Sequence, residues 1–221
     1  MDVATDLVQA YLRLNGYLTA AEYPLIETRQ GEAPRVLTDI DLLAVRFARS
    51  DGGRDERPGR RVGGPVVDAA DPALACPPGA TDMLVAEVKQ GKAFVNPATR
   101  DPLVLGAALA RFGCCLPEES PELVRALLRR GRAQSDLGHT VRMVLFASRG
   151  ERAPHGWHWV HLDHVIRFAD AHLRGRRETY GSVDEREPAL AWLALLEKCG
   201  FTLQHREMVW TPPAPGLERG G

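Results

Sequence analysis

Lysine is nearly missing from this 221-residue chain. Of its 28 basic side chains only Lys89, Lys92 and Lys198 are lysines; the rest are arginine. Charge of one sign is missing too: against 29 acidic side chains the formal net charge is −1. That excludes a global electrostatic pull on nucleic acid or anionic lipid, so any nucleic-acid binding must come from a local patch. The longest apolar runs, Leu103–Ala110 and Ala189–Leu196, fall far short of the roughly 20 residues a helix needs to cross a bilayer. Cys76, Cys114, Cys115 and Cys199 form no Cys-x-x-Cys pair, and adjacent cysteines cannot alone grip a tetrahedral zinc, so reduced thiols are expected. Neither a phosphate-binding loop (Gly-x-x-x-x-Gly-Lys-Ser/Thr) nor a hydrolase elbow (Gly-x-Ser-x-Gly) occurs, which removes the support for P-loop ATP chemistry and for a serine nucleophile of that type. The acidic start, Met1 to Asp6, lacks the basic and apolar parts of a secretory signal, so a cytoplasmic protein without membrane attachment is expected.

What is present reads as one α/β domain over residues 1–210. Val3–Asn15 carries an apolar stripe (Val3, Leu7, Val8, Tyr11, Leu12) before Gly16, the pattern of a helix and its stop. Tyr23–Thr28 and Val36–Arg46 read as strands. Residues 48–80, rich in Gly, Pro, Arg and Asp without apolar periodicity, read as a flexible insertion. Met83–Lys89 reads as a third strand. Asp101-Pro102 opens a helix ending at Gly113, a second spans Pro121–Arg130, and Val141–Ala147 is a buried strand. Trp157–His161 reads as a strand, Leu162–Leu173 as a helix ended by Gly175, Pro188–Cys199 as a helix, Phe201–Trp210 as a last strand, and 211–221 as a disordered tail. The order predicts a mixed central sheet flanked by helices.

Two strands carry the chemistry. In Thr38-Asp39-Ile40-Asp41, alternation puts Asp39 and Asp41 on one face; in Glu87-Val88-Lys89 it puts Glu87 and Lys89 on one face. Carboxylates in otherwise apolar strands are costly unless they are paired or hold a cation. If the strands are neighbours, Asp41, Glu87 and Lys89 converge. That makes a set of hard oxygen ligands suited to Mg²⁺ or Mn²⁺, beside the ammonium that an arginine-writing chain has kept. Such a set serves phosphodiester hydrolysis.

These residues resemble a known group. Tyr11-Leu12-Arg13-Leu14-Asn15-Gly16-Tyr17, then Thr38-Asp39-Ile40-Asp41, then Glu87-Val88-Lys89 look like the PD-(D/E)xK nuclease superfamily, of restriction-endonuclease-like fold. The resemblance covers about residues 3 to 113. It implies a metal-dependent nuclease, with DNA as the expected nucleic acid and a homodimer or partner protein as the expected assembly. It implies Asp41 and Glu87 as metal ligands and Lys89 as the catalytic lysine. Asp6 on the first helix, Asp39 and Gln90 are additional candidates, and Lys92, Asn96 and Arg100 are candidates for nucleic-acid contact. The Asp41–Glu87 separation is long for the group because of the insertion, and Ile40 stands where the nominal signature has proline.

Other signals have plainer readings. His158 and His161 should point to opposite faces of their strand, so a shared metal is not expected. Trp157 and Trp159 read as core or as a stacking platform, with core favoured. Arg125, Arg129, Arg130 and Arg132 read as a solvated helix end, and Arg54, Arg57, Arg60 and Arg61 could track a nucleic-acid backbone from the insertion. The rival enzyme is a nucleotidyltransferase using Asp39 and Asp41, but Thr28–Leu37 lacks the Gly-Ser that chemistry expects. The rival outside enzymes is a nuclease-like domain that only binds nucleic acid or a partner protein.

Overall fold

A computed structural model describes residues 2–28, 30–31, 33–48, 70–180, 187–204 and 207–210. The chain begins with helix α1 (Val3–Leu14), capped by Asp2, whose carboxylate accepts from Thr5 N–H at 2.8 Å. Three strands follow: β1 (Leu18–Glu27), β2 (Arg35–Arg46) and β3 (Asp82–Lys92). Helices α2 (Pro102–Phe112) and α3 (Ser120–Arg130) come next, both closed by a left-handed glycine, Gly113 and Gly131. Strands β4 (Arg132–Gln134), β5 (Thr140–Arg149) and β6 (His158–His161) then complete the main sheet. Helices α4 (Leu162–Tyr180) and α5 (Pro188–Lys198) and the hairpin β7 (Phe201–Gln204) and β8 (Glu207–Trp210) end the described chain.

The sheet is mixed, in the order β1-β2-β3-β5-β4, with β6 also on β5. β1, β2 and β3 are antiparallel; β3, β5 and β6 run parallel. Alternation along β3 and β5 divides the core in two. Leu84, Ala86, Val88, Val144 and Phe146 face α1, α4 and α5, while Met83, Val85, Met143, Leu145 and Ala147 face α2 and α3. A central parallel pair covered on both faces must be apolar on both, which is why β3 and β5 read as near-continuous hydrophobic runs.

The α1 side also holds polar ties that fasten the chain where it returns from the insertion. Residues 70–80, read with the insertion, carry a 3-10 turn at Pro72–Leu74, and both Asp71 and Leu74 are buried. Asp71 accepts from Tyr11 OH at 2.8 Å and pairs with His164 Nε2 at 2.6 Å; its N–H donates to Asn15 Oδ1 at 2.7 Å. Arg142 donates twice to Asp82, at 2.8 and 2.6 Å, and once to Leu74 O at 2.9 Å; Tyr17 OH donates to Asp82 at 2.5 Å. Every charge buried here has its partner, as burial of charge requires. Tyr11 and Tyr17 of the leading motif therefore serve the fold, and burial raises both phenols above their ordinary pKa.

Several elements differ from the sequence expectation. α4 continues through Gly175 to Tyr180, since a lone glycine costs a helix about 1 kcal/mol without ending it. Phe201–Trp210 forms a hairpin rather than one strand, and β4 is too short to show a period. Residues 49–69 of the insertion, with its four arginines, and the tail 211–221 lie outside the described residues. Among the described residues no helix is long and apolar enough to cross a membrane.

Candidate functional site

β2 and β3 pair only from Arg46↔Asp82 to Leu42↔Ala86. Asp41 and Glu87 would form the next pair, and there the strands part. On its other side, Asp41 falls at a break in the β1 ladder: Ala21↔Leu42 and Tyr23↔Ile40 pair, while Glu22 between them has φ +48°. Side-chain alternation breaks at the same point, because Ile40 and Leu43 pack toward α2 and α3 whereas Leu42 packs toward α1. The Asp41 carboxylate closes the gap in the ladder: Oδ2 accepts from Val88 N–H at 2.8 Å. Strict alternation, which would set Asp39 beside Asp41, does not hold across this break, and Asp39 is exposed.

Into the same opening come Glu87 and Lys89, both on the α2 and α3 face. Lys89 Nζ donates to Asp41 Oδ2 at 3.1 Å and stands 2.7 Å from Glu87 Oε2. The two carboxylate oxygens are therefore less than about 6 Å apart; a single ion bound by both would draw them to within about 4.2 Å. Glu87 is 1% exposed, while Asp41 and Lys89 are each 29% exposed. Lys89 Nζ thus partners the buried Glu87 Oε2 in a short charge-assisted contact. The buried Thr99 hydroxyl also lies against Glu87, but its proton is drawn to Asn96 O at 2.7 Å.

Electrostatics follow from that geometry. Burial, assisted by the nearby Asp41 charge, holds the Glu87 pKa above the ordinary carboxylate value even though Lys89 works the other way. Burial lowers the Lys89 ammonium pKa, but Glu87 and Asp41 outweigh it and the net shift is upward. One ammonium shared by two carboxylates leaves the trio one negative charge in excess, open to solvent through Asp41.

Directly after Lys89 the strand bulges. Lys89 pairs with Ala147 and Lys92 with Arg149, so two residues of β3 oppose Ser148 alone, and the Ser148 hydroxyl donates to Gln90 O. Such bulges re-aim the neighbouring side chains. Gln90 lies on the other face, as alternation from Lys89 already requires, and its side chain meets Asp2 at the start of α1. Asp6 lies on α1, which packs on the face opposite Glu87 and Lys89. Neither joins the trio, and among the described residues no three His, Cys, Asp or Glu gather as a metal-ligand group.

Of the expected contact residues, Asn96 has a structural place. It caps the 3-10 turn Pro97–Arg100 through Ala98 N–H at 3.0 Å and donates to Thr38 Oγ1 at 3.3 Å, tying that turn to β2 above the opening. Lys92 and Arg100 are exposed. The expectation that His158 and His161 face apart holds: His158 Nε2 lies 2.7 Å from Ala73 O, while His161 stacks on Trp159 across the sheet plane. Trp157 is core, and Arg125 pairs with Glu122 in solvent. Sequence reasoning missed Thr99, Ser148 and the buried Asp82–Arg142 pair. Only Ser148 had a detectable signal, a polar residue ending an apolar strand.

No family model, curated protein or solved structure matches this chain, so the reading of the site rests on its own residues and their geometry.

Proposed function

We propose that this chain is a metal-dependent nuclease that hydrolyses phosphodiester bonds in nucleic acid, DNA foremost. One observation carries the proposal: Asp41, Glu87 and Lys89, the first two 46 residues apart in sequence, meet where β2 and β3 separate, with the Glu87 carboxylate buried against Lys89. An apolar sheet does not keep that arrangement for stability, because a buried carboxylate of raised pKa costs free energy. The donor set suits Mg²⁺ or Mn²⁺, which are commonly held by one or two carboxylates with water and substrate phosphate supplying the remaining oxygens. Asp41 and Glu87 would hold the ion. When bound, it supplies Lewis acidity at a phosphate oxygen and lowers the pKa of an attacking water.

The chain's own residues do the rest. Val88 N–H fixes the Asp41 carboxylate at the opening. Glu87, walled in by the α2 side of the core, is kept from turning into bulk water. Lys89 is a compact cation with three rotatable donors, already within reach of both acids. Drawn toward a phosphate, it neutralises negative charge that grows as water adds to phosphorus.

The test is cleavage of labelled DNA and RNA, single- and double-stranded, with Mg²⁺ or Mn²⁺ and with EDTA. Wild type should cut only with metal; Glu87→Ala and Lys89→Ala should lose at least about 100-fold in rate. Equal cutting by all three proteins would overturn the proposal. Binding without cutting would instead establish the nuclease-like binding module, a reading favoured by the way Lys89 already engages both carboxylates.

A further inference from the structure

In register across the sheet, Glu87 pairs with Leu145 and Leu145 with Trp159; Lys89 pairs with Ala147 and Ala147 with His161. In-register residues of parallel strands project to the same face, so Trp159 and His161 stand beside the trio, two strand spacings or about 10 Å away. The two rings are stacked, with centroids 4.0 Å apart and planes 24° from parallel. Trp159 is held: its Nε1 donates to Ala147 O at 3.2 Å, and its ring edge lies over Gly150, where a Cβ would come within 2.6 Å of Cη2. His161 forms the outer layer, with its side chain 52% exposed.

Two further features surround this stack. Phe94, just past the bulge, is 62% exposed, although burying such a ring would be favourable. Lys92 and Arg149 are direct cross-strand neighbours, and neither has a carboxylate partner among the described residues. Like charges set opposite each other destabilise a sheet unless something anionic lies between them. Aromatic faces alternating with unpaired cations are what single-stranded nucleic acid binds: bases stack on rings and phosphates meet the cations.

We infer that Trp159 and His161 form a stacking platform for an unpaired nucleobase, with Lys92 and Arg149 receiving the adjoining phosphates of a strand whose phosphodiester lies at Lys89. The inference rests on the nuclease reading for the placement of that phosphodiester. It deepens that reading by naming the substrate class as nucleic acid with unpaired bases: single strands, overhangs or flaps. Because Trp159 is pinned by the core, the platform is preorganised, and binding does not have to order it.

The test measures binding by fluorescence anisotropy in EDTA, which stops cutting. Probes are a labelled dT oligonucleotide, an rU oligonucleotide, an abasic strand of equal length and a blunt duplex. Wild type should prefer the base-bearing single strands to the other two. His161→Ala should weaken single-strand binding about fivefold or more while leaving abasic binding unchanged; His161→Phe, which keeps a stacking face, should restore it. Phe94→Ala, at an exposed position that does not threaten folding, serves as a second probe and should weaken the same strands. Unchanged single-strand binding by His161→Ala would overturn the platform, whatever Phe94→Ala does. If Lys89→Ala abolishes cutting while His161→Ala changes nothing, only the platform fails. If His161→Ala releases single strands while no protein cuts, the platform stands and the nuclease reading fails.

Discussion

Replacing Glu87 by glutamine should stabilise the protein while removing its activity. The Glu87 carboxylate is 1% exposed, and its pKa is raised despite the Lys89 contact. The raised pKa already includes the attraction of Lys89, so the ionised form is a net liability to the fold, and neutral glutamine keeps the shape without that charge. A side chain kept for function against stability typically yields about 1 kcal/mol when relieved, or roughly 2 to 4 °C in Tm for a chain of this size. The pH dependence fixes the cause. Below the ordinary glutamate value, about 4.3, both folded and unfolded states hold the proton and wild type should match Glu87→Gln. As pH rises from there to the raised value of the folded state, the unfolded chain gives up its proton first and wild type loses stability relative to the variant; above that window the difference is constant. Urea denaturation at pH 4 and pH 7 measures both ends. A variant less stable than wild type at pH 7, or more stable by the same amount at both pH values, would refute the reasoning. Cleavage should meanwhile fall by about 100-fold or more.

Two other substitutions probe the frame that holds the site. Arg142→Met leaves the fully buried Asp82 without its bidentate partner and Leu74 O without a donor. The expected cost is about 3 to 5 kcal/mol, read as a fall in urea midpoint; a loss below about 1 kcal/mol would show the pair to be dispensable. Gly131→Ala would drive a Cβ into the Gly156 carbonyl at φ +69°, whereas Gly138→Ala meets open space at φ +79°. The first should cost about 3 kcal/mol or more and the second about 1 to 2; equal losses in thermal melts would contradict the close approach.

Much of the trio was legible because it follows from local rules. Glu-x-Lys in an apolar run can only be two same-face groups on a strand, and a lysine amid arginines marks a place where a point charge is wanted. Asp39 was misplaced because alternation was carried through Asp41, where the Glu22 conformation interrupts it, and no local signal marks that interruption in the sequence. Gln90 was a candidate through the resemblance alone, and simple alternation from Lys89 already sets it on the opposite face of the strand. Asp6 sits on a helix whose buried stripe is readable, but which sheet face the stripe covers depends on chain crossings far away in sequence.

The sequence by itself determined most of the elements and their order, since caps, glycine stops and apolar periods act within a few residues. It also determined which side chains are chemically exceptional, since a charge in a hydrophobic strand is anomalous wherever that strand lies. Only the tertiary structure decided that β2 and β3 are neighbours across the insertion, that they part at Asp41 and Glu87, and that β6 sets Trp159 and His161 beside Lys89. Those are matters of pairing and register, fixed by the packing of distant residues against one another.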